Sequence, residues 1–262
     1  MMKVLICGKG GSGKSTVATL LANNFQTKGY RVLVIDSDES NYGLSAQLGI
    51  KTPKELMDQI GGKKAVTSKM FAARDKGEKA QIFTEKMRID NIPADCLSKK
   101  DNVYLLQIGK VKHYGEGCAC PMGGLSRDFL KHLQLDAKDI AIIDTEAGVE
   151  HLGRGMISEV DVALAVLDPS YESIKLSKKI TSMVREGGKT VYFVLNKADS
   201  AVAEKMAAMV GKEQVVTSLP FNLAVQEKSL SGQPLDIETP QIETITTFLL
   251  QTINKKTTGD KP

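Results

Sequence analysis

Residues 8–15 read Gly8-Lys9-Gly10-Gly11-Ser12-Gly13-Lys14-Ser15, a complete G-x-x-x-x-G-K-[ST] string. An apolar run, 3–7, precedes it and a helical pattern over 14–27 follows, so the string sits at a strand-to-helix turn. The glycines let the backbone curl so that its N–H groups point inward, and the helix start adds the positive end of its dipole. Such a loop cradles phosphate. Gly8, Gly10, Gly11, Ser12, Gly13, Lys14, Ser15 and Thr16 are the expected cradle. Lys14 is placed to reach β/γ-phosphates, and the Ser15 hydroxyl to hold Mg2+.

The rest of the chain follows the rhythm this turn starts. Apolar runs at 32–36, 103–108, 140–144, 162–167, 191–195 and 214–219 alternate with helical patterns at 124–133, 170–185 and 201–210. Most runs are continuously apolar, as for strands covered on both faces. The expected fold is a single α/β domain over 1–262, a mainly parallel sheet of about seven strands with helices on both sides. Residues 53–100 fit poorly and read as a lysine-rich helical insert. Residues 254–262 read as a disordered tail. The C-terminal stripe Ile242, Ile245, Phe248, Leu249 and Ile253 reads as core packing, with a membrane anchor the weaker reading.

Charge and cysteine usage exclude several classes. The net charge of +4 is uneven: residues 51–115 hold 14 basic and 8 acidic side chains, the remainder 21 and 23. The few aromatics there, Phe71, Phe83, Tyr104 and Tyr114, form no regular interleaving with the basic residues that would suggest base stacking, so no nucleic-acid partner is expected. Four cysteines in 262 residues cannot staple a secreted fold. No stretch approaches the roughly 20 apolar residues of a membrane span. A cytoplasmic location with no membrane contact is the expectation.

Three further strand ends carry polar residues. After the second run comes Asp36-Ser37-Asp38-Glu39-Ser40-Asn41. The run 140–144 ends in Asp144, with Gly148 four residues on, the pattern of a Walker B aspartate and a glycine whose N–H senses a γ-phosphate. The run 191–195 leads into Asn196-Lys197-Ala198-Asp199, an N-K-x-D string that in GTPases reads guanine. Carboxylates at such strand ends face the ligand crevice of a doubly wound sheet.

Gly117-Cys118-Ala119-Cys120-Pro121 is the second informative site. Cysteines at i and i+2 point to the same side of an extended segment. Two thiolates on one tetrahedral metal need sulfurs roughly 3.8 Å apart, a spacing converging side chains can meet. One C-x-C supplies two ligands; a two-fold dimer supplies four. A redox pair and two ordinary thiols are the alternatives, and His113 reads as a surface histidine before a ligand.

The early Lys9 makes the loop resemble the deviant Walker A motif of the nitrogenase iron protein, MinD, ParA and ArsA class of ATPases. The resemblance implies that Lys9 reaches a partner's nucleotide across a homodimer. It implies that Asp38 orients the attacking water and stands with Ser15 near Mg2+, or that Asp36 supports Mg2+ through water. It implies that Asn196, Lys197 and Pro220-Phe221-Asn222 wrap the adenine of ATP, with GTP left open by Asp199. The loop, the C-x-C before a helix, and Asp144-Thr-Glu-Ala-Gly-Val-Glu-His151-Leu-Gly-Arg154-Gly together resemble the CooC/AcsF nickel-insertion ATPases. That family implies catalytic roles for Lys9, Lys14, Asp38 and Asp144. It also implies Ni2+ or Zn2+ on paired Cys118 and Cys120. Its client would be carbon monoxide dehydrogenase or acetyl-CoA synthase. A nitrogenase-type reductase would want a cysteine within 144–155, where there is none. A MinD/ParA-like positioning ATPase leaves the C-x-C unexplained. A GTPase-like metallochaperone rests on Asp199.

Overall fold

The computed structural model describes residues 1–78, 80–114 and 120–258. In chain order the elements are β1 (Met2–Gly8), α1 (Lys14–Thr27), β2 (Arg31–Ser37), α2 (Leu44–Leu48), α3 (Leu56–Gln59), α4 (Gly62–Asp75), β3 (Leu97–Lys100), β4 (Val103–Gln107), α5 (Cys120–His132), β5 (Asp139–Thr145), α6 (Glu150–Gly153), β6 (Val162–Leu167), α7 (Tyr171–Glu186), β7 (Val191–Asn196), α8 (Ser200–Val210), β8 (Val215–Leu219), α9 (Leu223–Leu230) and α10 (Pro240–Thr258).

Among the described residues eight strands form one sheet in the order β3-β4-β2-β5-β1-β6-β7-β8. β1 lies between β5 and β6, β2 between β4 and β5, all parallel; only β3 runs antiparallel, to β4. The central strands are apolar throughout because helices cover both faces, and all seven residues of β5 are buried. Successive side chains alternate between the two layers. Val4 and Ile6 meet Leu21 and Phe25 of α1 and Ile245 of α10 on one face. Leu5 and Cys7 meet the layer holding Phe129 of α5, Ile180 of α7 and Met206 of α8 on the other.

The sheet has one strand more than the seven expected. β3, Leu-Ser-Lys-Lys, lies in the lysine-rich stretch with its two lysines exposed. It has no apolar run to betray it, and an edge strand tolerates lysines because only one side is paired. The insert 53–100 is thus not wholly helical: it holds α3, α4 and β3. It is pinned to the core by Asp128 of α5, whose carboxylate accepts the N–H groups of Ile82 and Phe83 at 2.7 and 2.8 Å.

The C-terminal stripe packs into the core. Ile242, Ile245 and Leu249 are buried, and Phe248 meets Tyr192 edge-on at 4.7 Å between ring centres. α10 continues to Thr258, so the stretch expected to be disordered from 254 begins as helix. Among the described residues no helix is long and apolar enough to cross a membrane.

Candidate functional site

The loop between β1 and α1 lies at the carboxyl ends of the central strands, and two of its glycines are required by contact. A Cβ on Gly8 would lie 2.4 Å from the Val166 carbonyl oxygen of β6. A Cβ on Gly13, at φ +100°, would lie 2.2 Å from Nδ2 of Asn196. Side chains cannot occupy either place. The backbone can therefore pack directly against β6 and Asn196 at these two positions. Asn196, at the end of β7, donates to the Ser12 carbonyl at 2.7 Å, and the next residue, Lys197, donates to the Gly11 carbonyl at 2.9 Å. The polar pair expected at the base thus braces the loop's flank. Lys14 is buried, and its ammonium points back to the Lys9 carbonyl at 3.3 Å.

Asp144 ends β5 beneath the loop. The Ser15 hydroxyl donates to its Oδ2 at 2.5 Å, and Asn41 donates to the Ser15 Oγ at 2.7 Å. Its other oxygen has no hydrogen-bond partner among the described residues. Burial pushes the Asp144 carboxyl up to about 7, aided by the charges of Asp36 and Asp38 and opposed by Ser15 and Lys14. A hydroxyl beside a carboxylate with an unused buried oxygen is the hard-oxygen donor set that Mg2+ takes, so the residues fit that ion. Asp36, on β2, is instead engaged by a buried lysine. Lys110 meets its Oδ2 at 2.6 Å and also donates to the carbonyls of Asp38, at 2.5 Å, and Asn41. Burial raises the Asp36 carboxyl despite Lys110 and Gln107. Asp38 lies in the cleft wall, its Oδ1 accepting from the N–H and hydroxyl of Ser40 at 2.9 and 2.7 Å. Gly148 donates its N–H to the Gly8 carbonyl at 3.2 Å, closing the segment after β5 onto the loop.

Lys110 was not foreseen. In a basic stretch it reads as one more solvated lysine, and only the pairing of β4 with β2 carries it under Asp36.

Lys9 pairs within its own chain, 3.0 Å from Asp168 and 4.0 Å from Glu172. Burial would raise the Asp168 carboxyl, but hydrogen bonds from Ser173, Ser170 and Lys9 hold it below the usual range. Between Asp144 and Gly148, Glu146 forms an ion pair with Arg154 and a hydrogen bond with Glu39. Burial, then the Glu39 bond and charge, push the Glu146 carboxyl to about 7 against the pull of Arg154. His151 of α6 is buried with neither ring nitrogen partnered among the described residues, and burial, with Lys14 and Arg154 nearby, lowers it to about 3.

A cleft of about 890 Å3 opens over the loop, lined by Gly10, Gly11, Gly13, Lys14, Ser15, Thr16, Asn196, Lys197, Pro220, Phe221 and Asn222. That volume lies within the range of cofactor sites. The expected base-wrapping residues are thus brought together with the phosphate loop. Asn222 caps α9 by accepting the Val225 N–H at 3.2 Å. Asp199, the residue a guanine reader would use, caps α8 by accepting the Val202 N–H at 2.9 Å.

Of the C-x-C pair, Cys118 lies outside the described residues and Cys120 opens α5, exposed. Cys7 and Cys96 are buried free thiols, that of Cys7 pushed up to about 12 by burial. Among the described residues no group of three His, Cys, Asp or Glu side chains is placed to hold a metal.

Residues 3–235 match the CbiA family, the CobQ/CobB/MinD/ParA nucleotide binding domain. An uncharacterised ATP-binding protein of Methanocaldococcus jannaschii is 45% identical over 248 residues, 95% of this chain and 99% of that protein. The carbon monoxide dehydrogenase accessory protein CooC of Rhodospirillum rubrum is 33% identical over 238 residues, 88% of each. The septum site-determining protein MinD of Pyrococcus horikoshii, solved with Mg-ADP, has the same fold, with a TM-score of 0.66 at 19% identity over 98% of this chain and 97% of that one.

Proposed function

The chain belongs to the CobQ/CobB/MinD/ParA nucleotide-binding family, and from that premise we propose that it is a metallochaperone driven by its P-loop ATPase activity. In this reading two copies dimerise and hold Ni2+ or Zn2+ as cargo between paired Cys118 and Cys120. They deliver nickel to a client enzyme of the carbon monoxide dehydrogenase or acetyl-CoA synthase type. The observation that carries it is the C-x-C string in a chain that aligns with the CooC accessory protein along 88% of both lengths.

The residues divide the work as follows. The loop N–H groups and the Lys14 ammonium hold the phosphates of ATP, in a loop that Gly8 and Gly13 let pack tightly against β6 and Asn196. Ser15 and Asp144 hold Mg2+, with Asp38 close by, and that ion neutralises charge on the phosphate oxygens when bound. Asp38 orients the attacking water once its carboxylate leaves Ser40. Gly148 reports the γ-phosphate by exchanging its bond to the Gly8 carbonyl for one to phosphate. Lys9 leaves Asp168 to contact the partner's nucleotide. Asn196, Lys197, Pro220, Phe221 and Asn222 form the base end of the cleft. The use of Asp199 as a helix cap favours adenine over guanine.

Replacing both Cys118 and Cys120 by Ser is expected to abolish tight binding of Zn2+ and Ni2+ and leave nucleotide affinity unchanged. Lys14→Ala is expected to do the reverse. Equilibrium dialysis with metal and with labelled nucleotide reads both. Unchanged metal stoichiometry in the double-serine variant would end the chaperone reading.

A further inference from the structure

Arg154 follows α6 and touches three elements at once. Its guanidinium pairs with Glu146, two residues beyond Asp144, and Glu146 in turn is hydrogen-bonded to Glu39, next to Asp38. Its aliphatic stem lies across the first turn of α5. A Cβ on Gly123 would sit 2.4 Å from Arg154 Cδ and 3.2 Å from its Nε, so the glycine lets the stem lie close against the helix. Its carbonyl oxygen accepts from Arg127 of α5 at 3.4 Å. From the other side Met70 of α4 closes on the same turn, 2.9 Å from where a Cβ of Gly124 would stand. Side chains of α4 and of Arg154 thus lie close against the start of α5, the helix that begins at Cys120.

We infer that Arg154 is a positioning residue that passes the state of the phosphate loop to the first turn of α5, and so to Cys120. The inference gives a regulatory purpose to the proposed cargo site and rests on that reading for its meaning, though not for its measurement. Ligand phosphate acts on Asp38 and Gly148. The segments carrying them hold Glu39 and Glu146, and a change in that carboxyl pair alters the hold on the Arg154 guanidinium. A shift of the stem changes its contact with Gly123. What the two ends require is a differential contact with each nucleotide state, and the Glu146–Arg154–Gly123 chain is a continuous physical route for it.

The test uses the full-length protein under reducing conditions. The rate of iodoacetamide alkylation at Cys120 is followed by mass spectrometry, with and without Mg2+ and a non-hydrolysable ATP analogue. The wild type is expected to change rate by about fivefold or more between the two states, the lower end of ordinary allosteric coupling. Arg154→Ala is expected to bind the analogue and lose that response. Arg154→Lys should recover part of it. Gly123→Ala, which strikes the same contact from the α5 side, should lose it too. A wild type without response overturns the inference. So do alanine variants that keep the response, or variants whose rate changes equally in both states, which a purely structural role would give. Zn2+ binding measured on the same wild type separates the two ideas. A normal alkylation response in a protein that binds no Zn2+ would leave the Arg154 route standing and remove the cargo reading.

Discussion

His151 shows how a single buried side chain fixes a pH response. Its imidazole is 2% exposed, lacks a partner at either nitrogen among the described residues, and is lowered to about 3. An unfolded histidine titrates near 6.5. Below that value the unfolded chain takes up a proton that the folded chain refuses, so folded stability falls as pH drops from 6.5 towards 3. At pH 5 the loss is about 2 kcal/mol relative to neutral pH. His151→Leu is expected to remove that much of the drop in urea-unfolding free energy between pH 7.5 and 5; an unaltered drop would show that the imidazole titrates freely. Other residues at this scale were legible to different degrees. Lys14, Ser15 and Asp144 were readable because a motif and a strand end fix them locally. Lys110 and Arg154 were not, because a basic side chain carries no local sign of the carboxylate it will meet. Asp199 was read as part of a guanine motif, while the structure gives its carboxylate to the N–H of Val202.

Among the elements, α5 does most to join the parts of the molecule. It begins at Cys120, lies under Arg154 and Met70, and through Asp128 holds the segment that follows α4. Asp128 is buried, and both N–H groups it accepts would lose their partner on truncation. An unsatisfied buried donor costs about 1–3 kcal/mol. Asp128→Ala is therefore expected to lower unfolding free energy by about 2–6 kcal/mol and to speed hydrogen exchange at Ile82 and Phe83 above that of β5. Unchanged exchange at those two amides would mean that the insert is held by other contacts. The elements least visible in sequence are those of the insert. β3 is four residues with two exposed lysines, and its strand character comes from pairing with β4 alone. The parallel strands were visible because burial on both faces writes an apolar run into each of them.

At the scale of the molecule, the strand order puts β1 between β5 and β6 and so gathers the loop, Asp144 and the Lys9–Asp168 pair at the carboxyl ends of the central strands. A single chain holds half of the proposed metal site, and Lys9 is retained by Asp168 and Glu172 of its own chain. Dimerisation in the proposed cycle exchanges that contact for one to the partner. Mass measurement in solution with Mg2+, a non-hydrolysable ATP analogue and Zn2+ is expected to give a species of two chains carrying one Zn2+. One Zn2+ on a single chain, or a dimer that excludes the metal, would contradict the shared site.

The sequence by itself determined the phosphate loop, the parallel α/β layering and the strand-end carboxylate Asp144. Each follows from a pattern within a few residues: glycines where side chains cannot fit, apolar runs where both faces are covered, a charge where a strand leaves the core. The tertiary structure alone decided how those parts are connected. Lys110 under Asp36, Lys9 on Asp168, and Arg154 between Glu146 and Gly123 join residues far apart in sequence or on different elements. Such pairs form only when the sheet order and helix packing bring their elements together, and no local pattern encodes that order.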